Sequence, residues 1–228
     1  MRIGGLQPVT LLDYPQKMAA IVFTYGCNMR CPFCYNPQLV LPGLPADRLY
    51  DEDQVINFLK RRKKYLDGLV ITGGEPTLQK GLIGFLAKMK KIGYSVKLDT
   101  NGLLPESLKD LLDRELVDYI AMDIKGPLEE YEKYAGVTPE GVEKSIALVM
   151  SSGLPYEFRS TLVKGWHNRT DIAIMAETIK NADLYYLQNF QDSECLAGKD
   201  FSGKPFFKKE LEGFRQLAED WVKKCVIR

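Results

Sequence analysis

Three of the chain's cysteines lie close together, in the run GCNMRCPFCYN. Cys27, Cys31 and Cys34 have the spacing C-x3-C-x2-C, so their thiolates can bind three corners of one iron–sulfur cube. A protein-bound cube usually has four cysteine ligands, and a three-cysteine loop therefore leaves one iron free for another ligand. Zinc is the alternative, but zinc knuckles pair two short cysteine motifs or add nearby histidines, and the sole histidine, His167, is distant in sequence.

Composition narrows the class of protein that could carry this loop. The 228 residues are 45% hydrophobic and 27% charged, which are ordinary values for a globular protein. A formal net charge of +1 removes the electrostatic argument for a dedicated nucleic-acid binder. Neither a membrane-spanning apolar run nor the apolar core of a secretory signal is found. An odd count of five cysteines argues against a disulfide framework, so we expect a protein of the reducing cytoplasm.

Apolar, β-branched runs alternate with amphipathic stretches along the chain. This alternation predicts an α/β protein with a parallel sheet and outer helices, either a partial (β/α)6 barrel or a doubly wound sheet. We expect one domain over 1–228, with 1–18 as an N-terminal extension that packs on it. The predicted strands are 19–25, 68–72, 95–99, 118–123, 157–163 and 184–189. The predicted helices are one capped by Asp51, those near 81–91, 106–113, 139–152 and 207–224, and one opened by Thr170 and Asp171.

Polar motifs follow these strands at the points where they end. The cysteines follow the first strand, and the others are Gly73-Gly74-Glu75-Pro76, Asp99-Thr100-Asn101-Gly102, Asp123-Ile124-Lys125 and Gln188-Asn189-Phe190. Ligands bind at the carboxyl ends of the strands in barrels and open α/β sheets alike. We therefore expect these motifs to converge on one edge of the sheet.

Each motif also has a simpler interpretation on its own. Gly-Gly-Glu-Pro could be a tight turn, Asp-Thr-Asn-Gly an Asx turn, and Asp-Ile-Lys a solvated ion pair. Arg159, inside an apolar strand, needs a partner, either in a structural salt bridge or in a substrate carboxylate or ribose. Phe190 could simply fill the core, and for His167 a hydrogen-bonded or solvated imidazole is favoured over a general base.

Three further features are assigned no catalytic role. Cys195 and Cys225 are interpreted as ordinary cysteines, because they are too isolated to be assigned as a fourth ligand. The basic run at 60–64 is interpreted as a solvated helix face rather than a nucleic-acid patch. It could also help to dock an acidic electron donor.

The motif C-x3-C-x-aromatic-C after the first strand, with Phe33 as the aromatic residue, resembles the radical S-adenosylmethionine (radical SAM) enzymes. The resemblance implies that Cys27, Cys31 and Cys34 hold a [4Fe-4S] cluster. It also implies that S-adenosylmethionine binds the fourth iron, and that the fold is a partial (β/α)6 barrel. In this family Gly73, Gly74 and Glu75 would bond the amino group of S-adenosylmethionine.

The later motifs resemble those of the glycyl-radical-enzyme activases within that superfamily. On that pattern Asp99 and Asp123 would hold a monovalent cation, sodium or potassium, helped by Thr100 and the backbone of Ala121. Lys125 would contact the carboxylate of S-adenosylmethionine. The remaining residues expected to contact this cofactor are Phe33, Asn101, Arg159 and Phe190, the last against the adenine.

The opening stretch, GGLQPVTLLDYPQKMAAIVFTYGCNMRCPFCYNPQLV, most resembles the anaerobic ribonucleoside-triphosphate reductase activating proteins. This resemblance implies that the chain abstracts a glycine Cα hydrogen from a large glycyl radical enzyme, with a flavodoxin- or ferredoxin-type electron donor. Tyr35 departs from the pattern, since histidine commonly follows the third cysteine. The alternatives are a small-molecule radical SAM enzyme, such as a deazaguanine-pathway synthase, and a zinc- or cluster-holding module without turnover.

Anaerobic reconstitution tests the cysteine assignment directly. We expect about four irons per chain, and cleavage of S-adenosylmethionine to 5′-deoxyadenosine after reduction with dithionite. Cys31→Ala removes one of the three thiolates, so it should abolish both the cluster and the cleavage. Metal analysis and chromatography of the products check this. One zinc and no iron, or cleavage that survives the substitution, would contradict the assignment.

Overall fold

The computed structural model describes residues 1–191 and 201–228, and within them eight strands form one sheet in chain order. The first strand is antiparallel to the second, and every later neighbouring pair is parallel. The strands are β1 (Ile3–Thr10), β2 (Ala19–Thr24), β3 (Gly68–Gly73), β4 (Ser95–Thr100), β5 (Tyr119–Asp123), β6 (Tyr156–Leu162), β7 (Tyr185–Asn189) and β8 (Cys225–Ile227).

Helices connect the parallel strands and cover the outer face of the sheet. Their apolar side chains and those of the strands form one large buried cluster, which includes Leu59, Phe85 and Phe158. The helices are α1 (Pro37–Val40), α2 (Glu52–Arg62), α3 (Leu82–Ile92), α4 (Pro105–Asp113), α5 (Tyr131–Ala135), α6 (Val142–Ser151), α7 (Arg169–Thr178) and α8 (Lys208–Glu219). In residues 1–191 and 201–228, no helix has the length and apolar character needed to cross a membrane.

The predicted fold class is confirmed. All six predicted strands form, in chain order and parallel, with boundaries that shift by at most one residue at either end. The strands lie in chain order from β1 to β8 with no reversal, so the sheet is not doubly wound. It does not close on itself, so the barrel is partial. Order along the chain equals order in the sheet because each helix crossover returns the chain beside the strand it has just left.

Two strands were not predicted from the sequence. Residues 1–18 were expected to pack on the barrel, but β1 belongs to the sheet, with Ile3 paired to Thr24 and Thr10 to Ala19. Its glycines and its mostly exposed centre hide the usual strand pattern. The short strand β8 was also missed, because the final helix was expected to run to residue 224 and ends at Glu219.

The inner face of the sheet changes character along the strands. Near the amino ends it carries a small apolar group that includes Tyr14, Ile21 and Val70. Towards the carboxyl ends the side chains on this face become charged, with Asp99 on β4 and Arg159 on β6. This polarity places the candidate site at the carboxyl edge.

Helix α2 offers a simple test of a local prediction. Asp51 caps it, since its carboxylate accepts a hydrogen bond of 2.9 Å from the backbone N–H of Gln54. Asp51→Ala should lower the free energy of unfolding by about 1 kcal/mol, because that N–H loses its acceptor. Urea denaturation measures the change. Asp53→Ala, in the same first turn but without the cap bond, is the matched control and should cost less; equal losses would contradict the capping role.

Candidate functional site

The predicted motifs meet in one cavity of about 260 Å³ at the carboxyl ends of the strands. The lining includes the predicted site residues except Phe190 and the backbone of Ala121, namely Cys27, Cys31, Phe33, Cys34, Gly73, Gly74, Glu75, Asp99, Thr100, Asn101, Asp123, Lys125 and Arg159. Seven more lining residues had no binding role assigned from the sequence: Met29, Tyr35, Asn36, Val40, Thr72, Thr161 and Gln188. Motifs from the ends of five strands thus lie together in the folded chain.

The three cysteines lie on the loop between β2 and α1. Cys31 is buried and the other two are partly exposed, and none of the three is in a disulfide. Burial raises the pKa of the Cys27 thiol to about 11 and that of the Cys31 thiol to about 12. Such thiols become good ligands only where a positive centre stabilises the thiolate, as bound iron does.

A single metal ion and a cluster make different demands on the cysteine loop. A mononuclear zinc site needs its ligands around one point, whereas a cube takes each thiolate on a different iron. Throughout residues 1–191 and 201–228, no group of three or more histidine, cysteine, aspartate or glutamate side chains is placed to hold one ion.

The Gly-Gly-Glu-Pro turn lies directly against the cysteine loop. Gly73 has a φ of +111°, and a Cβ atom on Gly74 would lie 2.1 Å from the carbonyl oxygen of Gly26. The backbone N–H of Glu75 donates a hydrogen bond of 2.8 Å to that same carbonyl. Only glycine permits this approach, so these two positions bring the end of β3 against the cysteine loop.

The Glu75 carboxylate is only 1% exposed and joins two motifs. It accepts hydrogen bonds from the Thr100 hydroxyl at 2.8 Å and from the Asn101 backbone N–H at 2.8 Å. The backbone N–H and the hydroxyl of Thr77 also donate to it. Burial nevertheless raises the pKa of Glu75 above its ordinary value. This side chain fixes the turn after β4 against the turn after β3.

Asn101 extends the same connection to the cysteines. Its side-chain amide donates a hydrogen bond of 2.8 Å to the Asn28 side chain and lies 3.9 Å from the Cys27 sulfur. An amide beside a sulfur can donate to the thiolate of a bound cluster. Asn101 thus stands between the cysteine loop and the turn that Glu75 holds.

Charged side chains from three neighbouring strands form the floor of the cavity. Arg159 donates from Nη1 to Asp99 Oδ2 at 3.0 Å and from Nε to Asp123 Oδ1 at 2.9 Å. Lys125 Nζ donates to the other Asp123 oxygen at 3.0 Å. Burial opposes ionisation of Asp123, but the Arg159 guanidinium and the Lys125 ammonium outweigh it and lower the pKa of this carboxyl to about 2.

Two further charged residues of this floor were missed. Lys97 donates to Asp99 Oδ1 at 2.7 Å, and it lies 3.8 Å from the fully buried carboxylate of Glu157. Burial alone would raise the pKa of the Asp99 carboxyl, but the neighbouring charges of Arg159 and Lys97 outweigh it and lower that pKa. Their spacing in the sequence could have revealed them. Lys97 and Glu157 each lie two residues before a predicted site residue, so each projects from the same face of its strand.

The site expected to bind a monovalent cation does not fit this arrangement. Protein cations already contact both oxygens of Asp99 and both oxygens of Asp123. The third expected ligand, the Thr100 hydroxyl, donates to Glu75 and accepts from the backbone N–H of Gly102 at 3.2 Å.

The aromatic residues take places that the sequence did not specify. Phe33 lines the cavity and meets the His167 ring edge-on, with ring centres 5.8 Å apart. Phe190, expected against the adenine, lies behind the cavity wall. Its ring stacks on Tyr35 with centres 5.5 Å apart, and Tyr35 is the one of the two that faces the cavity.

The remaining sequence features lie elsewhere. Cys225 is buried at the start of β8, beside the amino end of β7, and Cys195 is outside the described residues. The basic run at 60–64 ends α2, just before β3 begins. A six-residue strand spans about 20 Å, so the run is at the opposite end of the barrel from the cysteines.

The family follows from comparison of the whole chain with known proteins. A model of the Radical SAM superfamily matches residues 21–177, which is more than half of the chain. The chain belongs to the radical SAM superfamily. Membership implies a [4Fe-4S] cluster and S-adenosylmethionine, and the cysteine loop and cavity described above suit both.

Relatives within the superfamily narrow the class of enzyme. A putative glycyl-radical enzyme activating enzyme of Methanocaldococcus jannaschii is 33% identical, over 99% of this chain and 95% of its own length. The pyruvate formate-lyase-activating enzyme of Clostridium pasteurianum is 27% identical, over 86% of this chain and 81% of its own. The chain is therefore a radical SAM enzyme of the activating-enzyme class.

Solved structures support the fold of this radical SAM enzyme. SuiB of Streptococcus suis superposes with a TM-score of 0.70 at 14% identity, over 91% of this chain and 48% of that one. QueE of Escherichia coli superposes with a TM-score of 0.58 at 14% identity, over 100% of this chain and 93% of that one. At such low identity these likenesses establish the fold alone.

His167 joins the cysteine loop to the Asp-Ile-Lys motif. The backbone N–H of Val163 donates to its Nδ1 at 3.1 Å, so Nε2 carries the proton and donates to the Lys125 carbonyl at 3.0 Å. The ring is 4% exposed and stacks on Tyr134 with centres 4.6 Å apart. This neutral imidazole supports Lys125 and Phe33 from behind, as the hydrogen-bonded alternative anticipated.

The buried imidazole predicts a pH dependence of stability. Burial lowers the pKa of His167, so the unfolded chain binds a proton that the folded one does not, and the free energy of unfolding rises with pH in that window. The contribution is complete above the unfolded pKa of about 6.5 and declines below it, by at most about 1.4 kcal/mol per pH unit. Urea titrations at pH 7.5 and 5.5 should show a larger loss for the unaltered chain than for His167→Gln. Equal losses would contradict this account.

Proposed function

We propose that this radical SAM enzyme activates an anaerobic ribonucleotide reductase, by abstracting a glycine Cα hydrogen and leaving a glycyl radical on that partner. Two observations support the proposal. The relatives compared by sequence above are activating enzymes, and the stretch from Gly4 to Val40 resembles the reductase-activating proteins.

The residues that line the cavity suggest how the two cofactors are held. Cys27, Cys31 and Cys34 would hold the [4Fe-4S] cluster, and the turn at Gly73 and Gly74 would lie beside the amino group of S-adenosylmethionine. Lys125 and the free edge of the Arg159 guanidinium would meet its carboxylate. When bound and reduced, the cluster supplies the electron that cleaves S-adenosylmethionine to methionine and a 5′-deoxyadenosyl radical.

The class of the relatives is the observation that favours a protein substrate over a small molecule. Both relatives compared by sequence above are activating enzymes. The cluster and S-adenosylmethionine would occupy the cavity at the carboxyl ends of the strands, so the hydrogen to be abstracted would enter from outside. A loop of a partner protein placed over the opening meets this requirement and excludes water at the same time.

The electron donor needs access to the cysteine loop. We propose that a flavodoxin- or ferredoxin-type protein docks there, beside Arg30, an exposed cation whose guanidinium holds the backbone carbonyls of Cys27 and Met29. An acidic donor would be attracted to this charge. The basic run at 60–64 is too far away to serve this docking. Free thiols at Cys27, Cys31, Cys34 and Cys225 are consistent with a cytoplasmic enzyme.

Electron paramagnetic resonance tests the proposed activity. The reconstituted protein, S-adenosylmethionine and dithionite are mixed anaerobically with an anaerobic ribonucleotide reductase or, separately, with a pyruvate formate-lyase. We expect a glycyl radical signal on the reductase. The Cys34→Ala protein, matched in all other respects, should give none, because it lacks one cluster ligand.

Each alternative outcome has a distinct meaning. A signal on pyruvate formate-lyase alone would keep the activating class but contradict the proposed partner. S-adenosylmethionine that is bound and cleaved without a radical on either partner, but with turnover of a small molecule, would favour the deazaguanine-type alternative.

A further inference from the structure

Every oxygen of the carboxylate pair on the cavity floor already accepts a hydrogen bond from a protein cation. Asp99 meets Lys97 on Oδ1 at 2.7 Å and Arg159 on Oδ2 at 3.0 Å. Asp123 meets Arg159 on Oδ1 at 2.9 Å and Lys125 on Oδ2 at 3.0 Å. A hard cation binds through several oxygen atoms at once, and here each of the four oxygens already has a charged donor.

The charged groups around this pair already have a positive excess without a metal ion. Glu157 is fully buried, accepts a hydrogen bond of 2.8 Å from Tyr119 and lies 3.9 Å from Arg159. Among the described residues the connected charged groups are four cations and three anions, which leaves one positive charge: Lys97, Lys125, Arg159 and Arg228 against Asp99, Asp123 and Glu157. One added cation would double that excess, in a buried place where like charges repel strongly.

We propose that the ammonium of Lys97 and the guanidinium of Arg159 take the place of the monovalent cation expected at this site. The enzyme then binds S-adenosylmethionine without added sodium or potassium. This inference rests on the proposed function, because it assumes that S-adenosylmethionine occupies the cavity. It differs from the expectation that Asp99, Thr100 and Asp123 hold a metal ion.

Lys97 and Arg159 lie at different depths and have different roles. Lys97 is 2% exposed and lies beneath Asp99, where it can neutralise that carboxylate but cannot reach a ligand. Arg159 is 12% exposed and lines the cavity. Its Nε and Nη1 hold the aspartates, and its Nη2 is left to meet the carboxylate of the ligand. A guanidinium can bond the aspartates and a ligand at once, because its N–H donors lie in one plane and point in different directions.

The affinity for S-adenosylmethionine in different salts tests the proposal. Equilibrium dialysis of labelled S-adenosylmethionine with the cluster-loaded protein is run in potassium, sodium or tetramethylammonium chloride at equal ionic strength. Tetramethylammonium matches the charge but is too large to be bound by two carboxylates. We expect the three dissociation constants to agree within about two-fold. Binding that is about ten-fold tighter in potassium or sodium would overturn the proposal.

Removal of the buried Lys97 ammonium should make the binding of S-adenosylmethionine depend on sodium or potassium. Lys97→Met keeps the length of the side chain and frees Asp99 Oδ1, so potassium or sodium should then tighten binding by about five-fold or more over tetramethylammonium. Lys109→Met, which removes an exposed lysine paired with Asp113, is the matched control and should behave like the unaltered chain. If Lys97→Met weakens the binding of S-adenosylmethionine and neither sodium nor potassium restores it, the proposed replacement of a metal ion by the Lys97 ammonium is contradicted.

A second variant covers the case in which Lys97→Met does not fold. Arg159→Gln frees one oxygen on each aspartate and should acquire the same dependence on potassium or sodium. Failure of the premise shared with the proposed function, that S-adenosylmethionine binds in the cavity, is distinguishable, since the unaltered protein would then bind none in any of the three salts. That result would overturn both statements, whereas cation-dependent binding would overturn only this inference.

Discussion

The contact of one guanidinium with two carboxylates holds the floor of the site together. Arg159 on β6 reaches Asp123 on β5, its partner in the sheet register, and Asp99 one strand further on β4. Without it two aspartates would be buried close to each other, and a buried charge without a partner is strongly destabilising. Lys97 and Lys125 complete the arrangement from either side. The order of three strands at the carboxyl edge therefore depends on this ion network as well as on apolar packing.

The walls of the cavity are tied to the floor by hydrogen bonds between motifs that are distant in sequence. Glu75 joins the turn after β3 to the turn after β4, and Asn101 reaches from that turn to the cysteine loop. On the other side His167 supports both the Lys125 carbonyl and the ring of Phe33. Binding groups that are held in advance lose less freedom when a ligand arrives, which suits an enzyme that must orient a reactive cofactor closely.

Much of this could be predicted from residue patterns. Continuous apolar runs mark strands covered on both faces, and parallel strands place their carboxyl ends together, so the convergence of the motifs follows. The edge strand β1 could not be recognised, because Gly4, Gly5 and its exposed centre lack the usual pattern. Phe190 was placed at the right strand end, but its position behind Tyr35 depends on how two rings pack, which no spacing reveals.

The sequence by itself determined the α/β class, the cysteine loop and the residue types gathered at one edge, because these depend on short-range spacing and on strand direction. Only the tertiary structure decided which charge meets which. Lys97, Glu157 and Arg159 come from strands β4 and β6, and their contacts depend on the register of neighbouring strands and on the face from which each side chain projects. That is why a pair of aspartates that could bind a metal ion is instead held by protein cations.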